Sequence, residues 1–434
     1  MEGLIGFGVF IAGLLVFLAT GTPVAVATGL LGVLGVYLFL PPAAIAQLGN
    51  IAFAQSANFV LVVVPLFVMM GEALAATSIG RDLFTAAQIW LRRLPGALAV
   101  GTIAACTCFA AVCGSSPVTA ATVGSMAVPQ MIAKGYSPRL ALGATAAGGT
   151  LGILIPPSIP LILYGVITET SIGALFIAGI VPGLMMAALL ALTVLAVVWR
   201  DPALAPKATE AAMQSEKWRS LYSVVPVMLL ALAVLGSIYT GVATPSEAGA
   251  VGAAGALAIA AVIGVLRRSV VARILSNTAR TTAMFILLIV GGLFSAFVLA
   301  RLGVPQSTAR LIVGAQVPPW VVMVMINLML IVLGMFMDPM SLLVIVVPVF
   351  FPAVTALGYD PVWFGIVMTI NIEIAAISPP VGFNLFVLKT VVPGSRMVDI
   401  VRGSLIFIVP LAAGIALLIA WPEIALWLPR LMMS

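Results

Sequence analysis

Of 434 residues, 63% are hydrophobic and only 7% are charged, with 19 Lys and Arg against 13 Asp and Glu. So few charges cannot cover a soluble globule of this size, and basic residues spread over short segments fit membrane orientation rather than nucleic-acid binding. Histidine is absent, which excludes His catalysis, His-ligated metals and His proton relays.

In chain order, the apolar pattern predicts spans at 4–20 and 24–40. The first lacks a basic front and runs straight into a second apolar segment, unlike a signal peptide. An interfacial amphipathic stretch at 44–57 leads to a span at 58–78, and a second such stretch at 80–93 precedes a hairpin at 95–133. The arms of that hairpin are only ~16–18 residues long, at the short end of what crosses a bilayer, so it is expected to turn back inside the membrane. Cys106, Cys108 and Cys113 share its first arm. Cys106 and Cys113 would lie about 10 Å apart on a helix. That is too far for one metal with bonds of ~2.3 Å, so the three read as packing residues.

A span at 137–168 follows, broken near Leu154 to Ser158, then spans at 172–199, 222–241 and 246–266. Thr244-Pro245-Ser246-Glu247 reads as a capping box that opens the last of these. An amphipathic stretch at 269–281 precedes a span at 283–300, and another at 303–316 precedes a second hairpin at 318–356. A second broken span at 361–392, interrupted at Ile377 to Gly382, and a span at 402–421 complete the order. A Pro-Pro pair removes two backbone donors and clashes with the preceding turn, so neither broken span is expected to be one helix. Breaks at membrane depth survive only where protein or a cavity satisfies the backbone.

The landmarks recur. Pro95, Pro129, Gly135-Tyr136, Pro138 and Pro156-Pro157 return as Pro318, Pro352, Gly358-Tyr359, Pro361 and Pro379-Pro380, each 223 residues on. Thr22-Pro23 returns as Thr244-Pro245, and Gly179 as Gly403. The expected fold is therefore an all-α polytopic membrane protein built from inverted-topology repeats, with about ten transmembrane helices plus two re-entrant hairpins. The first repeat is 1–200, a cytoplasmic linker is 201–221, and the second repeat is 222–434. Threaded this way, all basic residues but Arg301, Arg310 and Arg430 fall on one side, which makes that side cytoplasmic and both termini outward.

Interrupted helices in both halves point to a secondary transporter whose site lies where they meet. The first tip reads Gly114-Ser115-Ser116-Pro117-Val118-Thr119 and the second Met337-Asp338-Pro339. A helix starting at a tip presents free N–H groups to an anion, while the helix ending there presents carbonyls to a cation. Substrate candidates are Ser116, Pro117 and Thr119 at the first tip, Pro156, Pro157 and Ser158 at the first break, and Pro379, Pro380 and Asn384 at the second. Hydroxyls, an amide and bare carbonyls make oxygen-rich surroundings that suit a hard monovalent ion better than a transition metal. Asp338 is the leading ion ligand, because an acid at membrane depth costs ~2.5–3.5 kcal/mol to insert. Glu72 reads as structural. Gly143, Gly148 and Gly149 suit close helix packing as well as function.

The runs Gly114 to Gly124, Pro129 to Tyr136, Gly152-Ile153-Leu154-Ile155-Pro156-Pro157-Ser158, Thr244 to Ala248, Ser378-Pro379-Pro380-Val381-Gly382 and Pro393-Gly394 resemble the large membrane subunit of the tripartite ATP-independent periplasmic (TRAP) transporters, DctM-like or SiaM-like, over essentially the whole chain. The resemblance implies an elevator-type carrier of the ion-transporter superfamily in a bacterial or archaeal cytoplasmic membrane. It further implies sodium-coupled uptake of an organic acid, such as a C4-dicarboxylate, sialic acid or a sugar acid. A separate small four-helix membrane subunit and a periplasmic substrate-binding protein would be its partners, with no nucleic acid. Sodium sites carried over from the family fall on Ser115, Ser116, Gly149 and Thr150, and on Asp338, Thr369, Asn371 and Gly382. The chain departs from the family at Ser116-Pro117, where Ser-Asn or Gly-rich tips are usual. A stand-alone sodium–carboxylate symporter of the same superfamily is the alternative. An intramembrane enzyme is disfavoured, because Ser115 has no evident base.

Overall fold

The computed structural model describes residues 2–206, 214–314 and 317–433. Among these the regular elements are helices and a few short 3-10 turns. In order they are α1 (Glu2–Ala19), α2 (Val24–Phe39), α3 (Ile45–Ser56), α4 (Val63–Ala75), α5 (Ile79–Leu91), α6 (Ala97–Cys113) and α7 (Ser116–Ala133). Then come α8 (Pro138–Thr150), α9 (Ile159–Thr168), α10 (Ile172–Arg200), α11 (Gln214–Tyr239), α12 (Pro245–Val262), α13 (Arg268–Arg301) and α14 (Val304–Gly314). The last six are α15 (Pro319–Gly334), α16 (Pro339–Ala356), α17 (Pro361–Ala376), α18 (Phe383–Val391), α19 (Met397–Ala420) and α20 (Glu423–Met433). Of the described helices, α10, α11, α12, α13, α16 and α19 are long and apolar enough to cross a membrane. The protein is a polytopic all-α membrane protein.

One group of helices forms a frame. α2 lies along α13, and α4 packs on α12 and α13. The α2–α13 contact is close because Gly29, Gly32 and Gly35 recur every three residues and so face one way. A methyl on Gly32 would stand 2.7 Å from the backbone carbon of Phe294, and one on Gly35 would stand 2.7 Å from Val298. Ser295 Oγ donates to the Thr28 carbonyl at 2.6 Å across the same seam. Small residues let backbones approach in lipid, where no hydrophobic drive separates helix from tail. Glu72 on α4 accepts a 2.8 Å bond from Asn277 Nδ2 on α13, which makes it a structural tie within the frame. Thr244 and Glu247 cap α12 reciprocally, the expected capping box.

The other group contains both hairpins, α6–α7 and α15–α16, and both broken helices, α8–α9 and α17–α18. Each broken helix sends its second half away from its own hairpin. α9 lies on α16, and α18 lies on α7, so the halves exchange elements. Tyr164 of α9 donates to the Pro361 carbonyl at 2.7 Å and stands edge-on to Phe351 and Phe364. Gly143 and Gly403 carry the crossing of α8 and α19. A methyl on Gly143 would strike the Gly403 carbonyl, and one on Gly403 would strike that of Arg139.

Three expectations differ from the structure. The stretches 269–281 and 283–300 form one continuous helix, α13, of 34 residues. Nothing between them stops a helix: from Arg268 to Val290 there is no Gly or Pro, so a change of polarity alone does not end it. The span 58–78 begins with a 3-10 turn at Phe59–Val62, and the chain bends by 48° between Pro42–Ser56 and Phe59–Ala75. Asn58 starts this turn, its side chain accepting the Val60 N–H at 2.9 Å. Finally, α20 was not expected. It is a short amphipathic helix whose Glu423 pairs with Arg430.

Candidate functional site

The first tip is made by a stop and a restart. α6 ends at Gly114, whose φ of 65° is left-handed and favours glycine. Ser115 is the residue before α7, and Pro117 occupies the first turn, where its missing N–H costs nothing. No side chain caps α7. Thr119 instead turns back, its N–H and Oγ1 donating to the Ser115 carbonyl at 3.0 and 2.9 Å.

The first break lies beside this tip. α8 runs into a 3-10 turn, Leu151–Ile153, then into the cis pair Pro156-Pro157, and Ser158 restarts α9. Ser158 accepts from the Leu161 N–H at 3.3 Å and donates to the Ile153 carbonyl, so both ends of the break are closed by one hydroxyl. The Ile159 N–H donates to the Gly114 carbonyl at 3.2 Å, which ties break to tip. A methyl on Gly152 would stand 2.7 Å from both the Ser115 carbonyl oxygen and Thr119 Oγ1. Gly149 likewise lies on Ala120, and Gly148 on Cys106 and Ile103. The three cysteines are free thiols in packing positions.

The second half repeats the arrangement with different side chains. Asp338 caps α16: Oδ2 accepts the N–H groups of Met340 and Ser341 at 3.1 and 3.2 Å, and Oδ1 accepts the Ser341 hydroxyl. The Val381 N–H, in the second break, donates to the Met335 carbonyl at 3.2 Å. The break contains the cis pair Pro379-Pro380, and Gly382, at a φ of 55°, begins α18. Each tip is therefore held to the break of its own half by one backbone hydrogen bond.

A side-chain pair then joins the halves. Asn384 Nδ2, on α18, donates to Ser116 Oγ at 2.8 Å and to the Ala146 carbonyl at 3.2 Å, and Ser116 Oγ donates back to Asn384 Oδ1 at 3.0 Å. Both residues are buried. The family described as tripartite ATP-independent periplasmic transporter, DctM component, matches residues 11–424, and both tips and both breaks lie inside that range. The chain belongs to the DctM family.

Its relatives include the C4-dicarboxylate TRAP transporter large permease protein DctM of Pseudomonas aeruginosa, 36% identical over 93% of each chain. The sialic acid TRAP transporter large permease protein SiaM of Vibrio cholerae is 34% identical, over 87% of this chain and 88% of that one. In fold, this DctM-family chain resembles the crystal structure of the Alcanivorax borkumensis YdaH transporter. The TM-score is 0.62, at 18% identity, over 90% of this chain and 91% of that one. The chain is accordingly a multi-pass transporter permease.

The remaining polar candidates lie deeper. Thr150 Oγ1 donates to the Ala147 carbonyl and Thr369 Oγ1 to the Gly365 carbonyl, at 2.7 and 2.8 Å, which leaves their lone pairs unused by these bonds. Asn371 faces the first arm of the second hairpin. Its Nδ2 donates to the Val367 carbonyl at 2.8 Å and to Asn327 Oδ1 on α15. Asn327 was absent from the sequence candidates, although it is the one strongly polar side chain in an otherwise apolar hairpin arm. That isolation was the available signal. Asn371 Oδ1 and both carboxylate oxygens of Glu373 are buried without a hydrogen-bond partner. Among the described residues the ion pairs are Arg92–Glu216, Arg139–Asp399 and Arg430–Glu423, and none joins a tip or a break.

Proposed function

We propose that this DctM-family chain is the carrier subunit of a sodium-coupled importer of an organic acid. A periplasmic binding protein delivers the acid and a separate small membrane subunit completes the complex, in the cytoplasmic membrane of a bacterium or archaeon. The observation that supports this best is the linkage of all four interruptions: tip to break within each half, and half to half through Ser116 and Asn384. A connected set of helix ends at membrane depth has one evident use, which is to bind charged cargo by backbone dipoles in place of basic side chains.

The two tips differ in a way that supports an anion at the first, beside a sodium ion, and a cation alone at the second. At the first, no side chain occupies the N-terminus of α7, so the N–H groups of Ser116 and Val118 are left for an anionic carboxylate. At the second, Asp338 already occupies that position, so the second tip favours a cation. Sodium at Ser115, Ser116, Gly149 and Thr150, and at Asp338, Thr369, Asn371 and Gly382, would offset the charge of the acid. Without sodium the carrier would bind the acid poorly, and that difference is the coupling. The substrate would contact Ser116, Pro117 and Thr119, with Ser158, the Pro-Pro pairs and Asn384 shaping the pocket. In the elevator reading, hairpins and broken helices move as one body past the frame of α2, α4, α12 and α13, and the two repeats lie oppositely oriented in the bilayer.

The test is reconstitution of the two membrane subunits in liposomes with the genetically linked binding protein loaded with its acid. Accumulation is expected only with an inward sodium gradient and the binding protein present. Equal accumulation with choline in place of sodium would refute the coupling, and equal accumulation without the binding protein would refute the tripartite reading.

A further inference from the structure

Away from the proposed transport site, α5 and α11 enclose a cleft of about 380 Å³. Its wall carries two guanidinium groups, Arg92 and Arg219, with hydroxyls from Thr85, Ser220 and Ser223, against a single carboxylate, Glu216. Arg92 stands 3.8 Å from Glu216, an ion pair too long for a hydrogen bond, and both side chains are more than a third exposed. Arg219 has no ion-pair partner among the described residues. Ser220 and Ser223 already donate to the Lys217 and Arg219 carbonyls, at 2.8 and 3.4 Å, so the donors left for a ligand are the guanidinium groups, and among the described lining residues the balance is positive.

The depth of the cleft is fixed by its neighbours. Glu216–Tyr239 is one of the stretches long and apolar enough to cross a membrane, and Glu216, Arg219 and Ser223 occupy its first two turns, where such a span would meet the headgroups. Trp90, on α5, is exposed beside it, and Trp218 and Tyr222 are exposed on the opposite side of α11, as aromatic side chains are at a membrane interface. Lys217 Nζ lies 5.6 Å from the Trp90 ring centroid, adding a third cation at the rim. α5 buries Ile79, Leu83 and Phe84 and turns its polar face outward, as a helix lying along the membrane surface does.

We propose that this cleft binds the phosphodiester head of an anionic phospholipid, with Arg92 and Arg219 on the phosphate and Trp90 at its edge. Guanidinium groups at headgroup depth recognise a lipid phosphate, and a lipid held there can lay its acyl chains along the apolar length of α11 below the cleft. The lipid would bridge α11 to α5, the helix that leads into the first hairpin arm.

The test is lipid retention by the purified membrane complex in native mass spectrometry, with phosphatidylglycerol or phosphatidylcholine supplied at equal concentration. Wild type is expected to retain phosphatidylglycerol at least fivefold better, and Arg92→Gln with Arg219→Gln to abolish that preference. Glu216→Gln, which removes the competing carboxylate, is expected to increase retention, an effect that misfolding would not produce. Equal retention of both lipids, or an unchanged preference in the double variant, would overturn the proposal. Displacement of phosphatidylglycerol by an equal concentration of inorganic phosphate would overturn it too, by assigning the cleft to a soluble anion.

Discussion

Ser116 and Asn384 stand 268 positions apart in the chain, yet their side chains exchange hydrogen bonds in a buried seam. Both were legible as polar residues next to helix breaks, but their partnership was not, because nothing in a linear pattern brings α18 onto α7. Asp338 shows the reverse. Its sequence position suggested an ion ligand, and the structure adds a local role as the cap of α16. The two roles separate by substitution. Asp338→Asn keeps one acceptor oxygen for the two N–H groups of the cap and should leave the melting temperature nearly unchanged, while apparent sodium affinity falls at least tenfold. Asp338→Ala should also lose about 1 kcal/mol of cap stability. Sodium titrations of uptake, run beside thermal melts, check this. Unchanged sodium dependence in Asp338→Asn would remove it from the ligand set. Gly152 tests the first site in another way. A methyl there would stand 2.7 Å from Ser115 O and Thr119 Oγ1, so Gly152→Ala must push tip and break apart. Overpacking of this kind costs about 1–3 kcal/mol, and uptake should fall at least tenfold. Normal uptake by a stable Gly152→Ala protein would mean that tip and break need not touch.

At the scale of elements, both hairpins and both breaks were readable because Pro and Gly punctuate the chain at fixed places. Pro-Pro ends a helix for a local reason, the loss of donors and the clash of rings, and tertiary context cannot override it. The continuity of α13 was not readable. Its polar first half looked interfacial, and only the absence of Gly and Pro from Arg268 to Val290 hinted that the helix would continue. α13 matters because α2 lies along it through Gly29, Gly32 and Gly35. Gly32→Val would drive a side chain against the Phe294 and Ser295 backbone, at 2.7 and 2.8 Å from the first added carbon. We expect lower yield and a melting temperature several degrees down. In the protein that folds, the sodium dependence of uptake should be unchanged, because the seam belongs to the frame. A Gly32→Val protein of normal stability would contradict the packing described for that seam.

For the whole molecule, the 223-residue recurrence forecast the succession of hairpin, broken helix and long helix in both halves, and the structure contains it twice. What the recurrence could not give is the exchange, in which α9 packs on α16 and α18 on α7. That exchange packs the two halves against each other, and the carrier reading, in which they move as one body, depends on it. The boundary of that body runs between α4 and α6, where an ideal Cβ on Gly71 lies 3.4 Å from Cys113 Sγ. In a disulfide the corresponding separation is about 3 Å, so Gly71→Cys is placed to bond the native Cys113. With Cys106 and Cys108 changed to Ala, mild oxidation should link frame to carrier. Uptake in proteoliposomes is the measurement to make on this protein: the account predicts that oxidation stops sodium-driven uptake and that a reductant restores it. Full uptake by the fully crosslinked protein would contradict the movement of hairpins and broken helices past the frame.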